Sequence, residues 1–212
     1  MKYDDFLKLI GQIPVVSPKL LAKKGLDHKY IRVQFSRWVR SGKLIRLRRG
    51  FYVLPEKYRK IQLFEPYMAN QLKNPSYLSL EKALEFHGVI MEAVHVHTSV
   101  TTKRPNSYKT AFGEFDYRHL KTPLFWGYLP VTLNKQTAYI ATPEKALLDL
   151  VYLNRIKPNC GYIEGLRLQN LEKFSLKKLL AYALKYQNAN VAKVAKELRD
   201  YILKNKKSTR SL

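Results

Sequence analysis

The chain has 212 residues, and its 39 lysines and arginines outnumber its 16 aspartates and glutamates, which gives a formal net charge of +23. Such a balance is most simply explained by a polyanionic partner, namely DNA, RNA or an anionic membrane. No apolar run reaches the roughly 18 residues that a membrane span needs, and the acidic first segment is unlike a signal peptide. The single cysteine, Cys160, excludes a disulfide framework and a cysteine-based zinc site, so a cytoplasmic protein with a nucleic-acid partner is favoured.

Two short helices are predicted at the start of the chain. Apolar residues at helical spacing indicate a first helix over Tyr3–Ile13, followed by an extended link at Pro14–Val16. Ser17 and Pro18 have the form of a helix cap followed by proline at the first helical position. The helix that they begin is expected to end at Gly25, which leaves a tight turn before the next helix.

Residues 31–54 combine an amphipathic helix with a hairpin. Ile31, Phe35 and Trp38 recur at helical spacing and form one apolar stripe, whereas the opposite side of the helix is basic. The helix is expected to end at Gly42, and two strand-like runs joined by a basic turn follow it. This order predicts a winged helix-turn-helix, with its helix in the major groove of DNA and its wing along the backbone or minor groove.

Basic side chains of this unit are candidates for DNA contacts. The arginine fork matches O6 and N7 of guanine, so one of Arg32, Arg37 and Arg40 is expected to read bases. Ser17 and the lysines of the preceding helix, Lys24 included, are better placed for phosphates. At the hairpin tip one arginine is expected on phosphate, and the other is left open between phosphate and a narrow minor groove. The simpler alternative is an amphipathic helix with solvated arginines. The predicted DNA-binding residues are Ser17, Lys19, Lys23, Lys29, Arg32, Ser36, Arg37, Arg40, Arg46, Arg48 and Arg49.

The rest of the chain predicts a second unit. A break in the pattern at 55–66 leads us to predict a winged helix-turn-helix domain at 1–60 and a mixed α/β domain at 61–212. Alternation of period two indicates strands from Val94 onwards, and Thr142 with Pro143 has the form of a capped helix start. The predicted fold class is therefore α+β, with an N-terminal winged helix-turn-helix followed by a mixed α/β domain that ends in basic helices.

Other constellations of polar residues are interpreted as structural. His95 and His97 lie two residues apart with no third ligand placed beside them, so we expect them to face solvent and not a metal. The Thr-Pro-Glu-Lys segment that ends at Lys145 is expected to be a capped helix start, because capping explains every residue in it. Asp149 is expected to pair with Arg155 or with a backbone donor, and the aromatic residues around 112–128 are expected to form a sheet core.

Catalytic motifs are not found in the sequence. A restriction-type nuclease needs an acid and a Glu-x-Lys or Asp-x-Lys on adjoining strands, and no such triplet follows Lys60. There is no glycine-rich phosphate loop and no Gly-x-Ser-x-Gly elbow. Cys160 has no evident histidine partner and is interpreted as a semi-buried thiol. We therefore predict that the protein is not an enzyme and uses no cofactor and no metal.

Four segments together resemble a known family. The basic winged helix is followed by Pro75-Ser76-Tyr77-Leu78-Ser79 leading to His87-Gly88, then Thr98-Ser99-Val100-Thr101, then Thr142-Pro143-Glu144-Lys145-Ala146. In this order they resemble the AbiEi-type antitoxins, the antitoxin halves of type IV toxin–antitoxin modules used in phage defence. The resemblance runs from about Tyr3 to Tyr201.

The resemblance implies a function with two parts. The winged helix would bind the promoter of its own operon on double-stranded DNA and repress it, and the later region would counter a nucleotidyltransferase-type toxin. The alternatives are a stand-alone winged-helix regulator without a toxin and a basic RNA-binding protein; the oligomeric state is left open. The basic C-terminal region of the family also suggests a second DNA contact, for which the candidates are Lys193, Lys196, Arg199 and Lys204.

Overall fold

The computed structural model describes residues 1–23, 25–157 and 160–208, so Lys24 and the Cys160 side chain lie outside what it describes. The helices are α1 (Tyr3–Ile10), α2 (Pro18–Ala22), α3 (His28–Arg40), α4 (Glu65–Leu72), α5 (Leu80–Phe86), α6 (Pro143–Leu153), α7 (Cys160–Gly165), α8 (Leu176–Lys185) and α9 (Ala189–Ser208). The strands are β1 (Val15–Val16), β2 (Ile45–Arg48), β3 (Phe51–Val53), β4 (Tyr77–Leu78), β5 (Val96–Thr101), β6 (Asn106–Thr110), β7 (Gly113–His119), β8 (Tyr128–Leu133) and β9 (Gln136–Ala141).

The first part of the chain is a winged helix, as predicted. Ser17 caps α2 by accepting a hydrogen bond from the backbone N–H of Leu20 at 3.2 Å, and the Asp27 carboxylate caps α3 in the same way, accepting from the N–H of Tyr30 at 2.6 Å. The predicted extended link is in fact a strand, because β1 pairs antiparallel with β3 and completes a small sheet of order β1-β3-β2. The wing is therefore three-stranded, and its hairpin is held from its outer side by β1.

The remainder of the chain, called the body here, is built on a mixed six-stranded sheet. The strand order is β6-β7-β5-β4-β9-β8, in which β5 pairs parallel with β7, β4 pairs parallel with β9, and the other neighbours are antiparallel. Helices α4, α5 and α6 pack against strands of this sheet, and α8 and α9 pack against α6. The predicted α+β class, with a winged helix followed by a mixed α/β part, is confirmed.

The small sheet contributes to two hydrophobic cores. Val16 is buried in the core of the winged helix together with Phe6, Phe35 and other residues of α1 and α3. Val15 and Val53 are instead buried in the core of the body. Because successive residues of a strand point to opposite faces, this division follows from the two-residue period of the strands. The predicted units at 1–60 and 61–212 thus share an apolar contact across the small sheet.

The expectation that His97 faces solvent is wrong. This residue is only 4% exposed, and its ring stacks on that of Phe115 with 4.6 Å between centroids. Ser99 and Val100, which point to opposite faces of β5, are both fully buried. The alternation of apolar and polar residues predicted a strand with one solvent-exposed face, whereas β5 lies inside the sheet and both of its faces are covered. His95 precedes β5 and is exposed, as expected.

Buried histidines give the fold a predictable pH dependence. Burial lowers the pKa of His97, and it also lowers the pKa of His87, whose Nε2 donates to the carbonyl oxygen of Ala141 at 2.7 Å. Because the unfolded chain takes up protons that the folded protein does not, the free energy of unfolding is expected to fall as the pH drops below 6.5. Each ring adds at most about 1.4 kcal/mol per pH unit. Urea unfolding across this range measures the slope, and replacing both rings by glutamine should flatten it. An equally steep profile in that variant would contradict the assignment.

A second correction concerns Lys145 and Asp149. Thr142 does cap α6, since its hydroxyl oxygen accepts from the N–H of Lys145 at 3.3 Å. Capping does not explain Lys145, however, because its ammonium is fully buried and lies 2.5 Å from Asp149 Oδ1. The expected pairing of Asp149 with Arg155 or a backbone donor is wrong. Lys145 and Asp149 lie one helical turn apart on α6. The same spacing of opposite charges also occurs on solvent-exposed helices, so the spacing alone did not indicate that this pair is buried.

Candidate nucleic-acid interface

A basic cleft of about 840 Å³ lies between α3, the start of α2, the wing and the end of α4. It brings together most of the predicted DNA-binding residues, whereas Lys23, Arg37 and Arg40 are exposed on the neighbouring surface. The cleft is lined by Ser17, Pro18, Lys19, His28, Lys29, Arg32, Val33, Ser36, Arg46, Arg48, Arg49, Gly50, Phe51, Tyr52, Gln71 and Asn74. The space between helix and wing is therefore basic on both sides.

The cleft face of α3 follows from its apolar stripe. Ile31 and Phe35 are fully buried against the winged-helix core, so the residues one step further round the helix must face outward. Arg32 and Lys29 are exposed and line the cleft in the first half of the helix. The Ser36 hydroxyl donates to the carbonyl oxygen of Arg32 at 3.1 Å, so its hydrogen is directed to its own helix. The cleft face of α3 thus carries two long cations followed by a small polar residue.

An apolar residue of the cleft was missed by the sequence reasoning. Val33 is 51% exposed and lies off the buried stripe of α3, among the basic residues that line the cleft. A branched apolar side chain at such a place matches the C5-methyl group of thymine in the major groove. The signal was available in the sequence, because Val33 is an apolar residue on the otherwise polar side of the helix.

The two arginines at the wing tip differ in their surroundings. Arg48 is half-buried, and its Nε donates to the carbonyl oxygen of Leu72 at 2.8 Å. Its guanidinium also lies over the rings of Phe51 and Tyr108, at 4.1 and 5.1 Å from their centroids. Arg49 is exposed and makes no such contact with the other described residues. Arg48 therefore fastens the wing to the body, and Arg49 is the wing-tip cation that is available to a ligand.

This difference predicts opposite effects of two alanine substitutions. Arg48→Ala removes the hydrogen bond to Leu72, a longer one to the carbonyl oxygen of Arg49 and two cation–ring contacts, so it should lower the free energy of unfolding by about 1–2 kcal/mol. Arg49→Ala should leave stability within about 0.5 kcal/mol of the wild type and should weaken duplex binding several-fold. Urea unfolding and duplex titration measure the two effects. Equal loss of stability in both variants would contradict the distinct roles.

Within the part of the chain that the structure describes, the cations of the cleft form no salt bridge. In residues 1–23, 25–157 and 160–208 the salt bridges join Lys82 to Glu85, Lys145 to Asp149, Arg199 to Asp200 and, when protonated, His97 to Glu65. No member of these pairs lines the cleft. The cleft therefore keeps its positive charge, which suits a phosphate backbone.

The C-terminal candidates lie on one side of α9, away from the cleft lining. Lys193 and Lys196 are exposed, and the opposite side of the helix is buried through residues such as Val194 and Leu198. The Arg199 guanidinium lies 2.7 Å from the Asp200 carboxylate, so part of its charge is compensated, and Lys204 is exposed. The predicted amphipathic helix is present, and its basic side forms a surface separate from the cleft.

Two further observations limit what the described residues offer. They contain no group of three or more histidine, cysteine, aspartate or glutamate side chains that could hold a metal ion. None of the helices described is both long and apolar enough to cross a membrane. What the geometry brings together, within this part of the chain, is a cleft lined by basic residues.

Comparison with known families agrees with this geometry. Residues 7–55 match the family model described as "Transcriptional regulator, AbiEi antitoxin". The match runs from the second half of α1 to just beyond the wing and includes every residue that α2, α3 and the wing contribute to the cleft. The motifs between residues 75 and 146 lie outside this match. No curated protein matches the chain. The winged-helix segment 7–55 is thus similar to the AbiEi antitoxin family of transcriptional regulators.

Proposed function

We propose that the protein is a cytoplasmic, sequence-specific DNA-binding antitoxin that represses its own operon and counters a cognate nucleotidyltransferase-type toxin. The observation that carries the DNA-binding half is the uncompensated basic cleft between α3 and the wing. A groove lined by lysine and arginine on two sides of a recognition helix fits a duplex better than a small ligand. The toxin-directed half is supported by the family of residues 7–55.

The position of each side chain suggests how the duplex is read. Arg32 and Lys29 lie in the first half of α3, the part of a recognition helix that reaches base edges, and Val33 lines the same cleft as an apolar contact for thymine. Arg49 at the wing tip and Lys19 on α2 line the same cleft from other elements and would contact the phosphate backbone. Arg37 and Arg40 are exposed nearer the end of α3 and suit flanking phosphates or a further base.

The test is binding to the DNA upstream of the gene, against a scrambled duplex, over a series of salt concentrations. A regulator should prefer the upstream duplex by about 10³-fold or more, with log K falling as salt rises by about 0.9 per phosphate contact. Equal binding to both duplexes would overturn the specific-regulator proposal. An RNA competitor that displaces both would favour the RNA-binding alternative, which the net charge of +23 also fits.

The toxin-directed half needs a separate experiment. Co-expression with the product of the adjacent gene should relieve growth inhibition by that product if the chain is an antitoxin. Absence of both toxicity and rescue would leave a stand-alone winged-helix regulator as the better description. A rescue that survives the loss of specific DNA binding, in the variant with Arg32, Arg37 and Arg40 all replaced by alanine, would place the antitoxin activity outside the cleft.

A further inference from the structure

The cleft is not closed by the winged helix alone. Gln71, near the end of α4, and Asn74, just beyond it, line the cleft together with Arg48 and Arg49 of the wing. Both side chains carry amide groups, and neither makes a hydrogen bond within the described part of the chain. Both residues lie outside the segment 7–55 that matches the family model. The body therefore presents unused hydrogen-bonding groups beside the wing.

Two loops of the body are tied together at this point. Lys103 Nζ donates to the carbonyl oxygen of Asn74 at 2.5 Å, and Lys73 Nζ donates to the carbonyl oxygen of Arg104 at 2.6 Å. Lys73 also donates to the side-chain oxygen of Asn106. The lysines are thus held by neutral acceptors, not by carboxylates. The Arg104 side chain is exposed. Both loops therefore carry fixed positive charge next to the cleft.

The positive charges at this place repel one another. The pKa of Lys73 is lowered, first by burial and then by the positive charges of Arg48 and Lys103. No carboxylate of the described residues lies within salt-bridge distance of these three cations. An anion that approached the two loops would relieve the repulsion, because it would supply the missing opposite charge. The loops and the wing tip together thus form one positively charged surface.

We propose that the body supplies a further part of the DNA interface, in which Gln71, Asn74 and Arg104 contact the sugar–phosphate backbone on the wing side of the site bound by α3. This proposal rests on the proposed function and extends it. The surface is continuous with the cleft, so a duplex held by α3 and Arg49 continues along it. Amide and guanidinium groups are common donors to phosphate oxygens. The wing is fixed to the body by Arg48, so the two parts of the interface keep one orientation.

The sharpest test changes charge with little change of shape. The double variant Gln71→Glu/Asn74→Asp adds two negative charges to the cleft, and Asn134→Asp/Gln169→Glu adds two at exposed positions that do not line it. The first variant should bind the upstream duplex about tenfold or more weakly, and its affinity should depend less steeply on salt, because the two added carboxylates offset part of the positive charge of the cleft. The second should stay within about twofold of the wild type. Thermal unfolding establishes that both are folded.

A second variant tests the same surface without adding acid. Arg104→Ala should reduce hydroxyl-radical protection of the backbone on the wing side and leave the protection under α3 unchanged. An unchanged footprint, together with equal affinity of the cleft variant and its control, would overturn the inference and leave the proposed function intact. If the wild type shows no preference for its upstream duplex, both the proposed function and the inference fail. Equally weak binding by the variant Asn134→Asp/Gln169→Glu would also overturn the inference, since the lower net charge of the protein would then explain the effect.

Discussion

Replacing Arg32, Arg37 and Arg40 together by alanine is expected to abolish sequence-specific binding to the upstream DNA and leave the fold intact. All three side chains are exposed on α3, and none forms a salt bridge within the described part of the chain. Each bidentate arginine–guanine pair contributes about 1–3 kcal/mol of discrimination. Without these specific contacts, the preference for the upstream duplex should fall from about 10³-fold towards unity.

The control for this variant removes the same charge elsewhere. Lys121, Lys177 and Lys178 are exposed and do not line the cleft, so their joint replacement by alanine lowers the net charge equally. The control should keep its preference for the upstream duplex and bind only a few-fold more weakly, because distant charges are screened by salt. Electrophoretic mobility shifts with upstream and scrambled duplexes compare the two. Unchanged specificity in the α3 variant would show that this helix does not read the DNA.

The single substitutions should rank the three arginines. Arg32 lines the cleft in the first half of α3, whereas Arg37 and Arg40 lie outside the cleft and nearer the end of the helix. Recognition helices usually contact base edges through their N-terminal residues. Arg32→Ala should therefore affect the ratio between the two duplexes most, and Arg40→Ala should weaken both duplexes alike and reduce the salt slope by about 0.9.

The winged helix could be predicted from sequence because its determinants are local. Ser17 and Pro18 fix the start of α2, the apolar stripe from Ile31 to Trp38 fixes the buried side of α3, and a glycine at 42 with φ of 67° ends the turn. Each of these signals acts over a few residues. The stripe also fixes the outer face, which is why the basic residues of α3 could be named from the sequence.

Features that depend on distant partners could not be predicted in the same way. Strand β4 is only two residues long, and it is a strand because Tyr77 and Leu78 pair with β5 on one side and β9 on the other. Strand β6 consists mostly of polar residues, so its sequence lacks the alternation of apolar and polar residues that predicts a strand. Arg48 and Arg49 are neighbours with the same side chain, and only the carbonyl of Leu72 and the ring of Tyr108 distinguish them. Each of these contacts of Arg48 joins residues that are 24 or more positions apart in the sequence.

The buried charge cluster around Asp149 also depends on residues that are far apart in the chain. Asp149 Oδ1 accepts hydrogen bonds from Lys145 at 2.5 Å and Tyr186 at 2.6 Å, and Oδ2 accepts from Tyr77 at 2.9 Å and Ser79 at 2.8 Å. The carboxylate is therefore saturated with donors from β4, α6 and the residues that flank α5 and α8. Lys145 also lies over the ring of Trp126, at 4.8 Å from its centroid. A fully buried network of this kind joins the sheet to three helices of the body.

Substituting Asp149 by asparagine is expected to destabilise the protein by about 3–5 kcal/mol, because the Lys145 ammonium would then be buried without an opposite charge. The amide also places a donor where two donors now point, so at least one hydroxyl of the network has no acceptor. Burial already lowers the pKa of Lys145 even with Asp149 beside it, which indicates how costly the charge is to keep in this site. Urea unfolding measures the change, with Glu114→Gln on the body surface as a control for removal of a carboxylate.

The double variant Lys145→Met/Asp149→Leu separates the cost of an isolated charge from the value of the pair. Each single replacement leaves one buried charge unpaired, whereas the double replacement leaves none, so its destabilisation should be smaller than the sum of the singles by more than about 1 kcal/mol. It should still be less stable than the wild type, since Tyr77, Ser79 and Tyr186 no longer have their common acceptor. Additive effects would show that the two charges do not stabilise each other.

The wing contacts the body through Arg48. A substitution of Asp149 that destabilises the body should therefore also weaken DNA binding, without any change to the residues of the cleft.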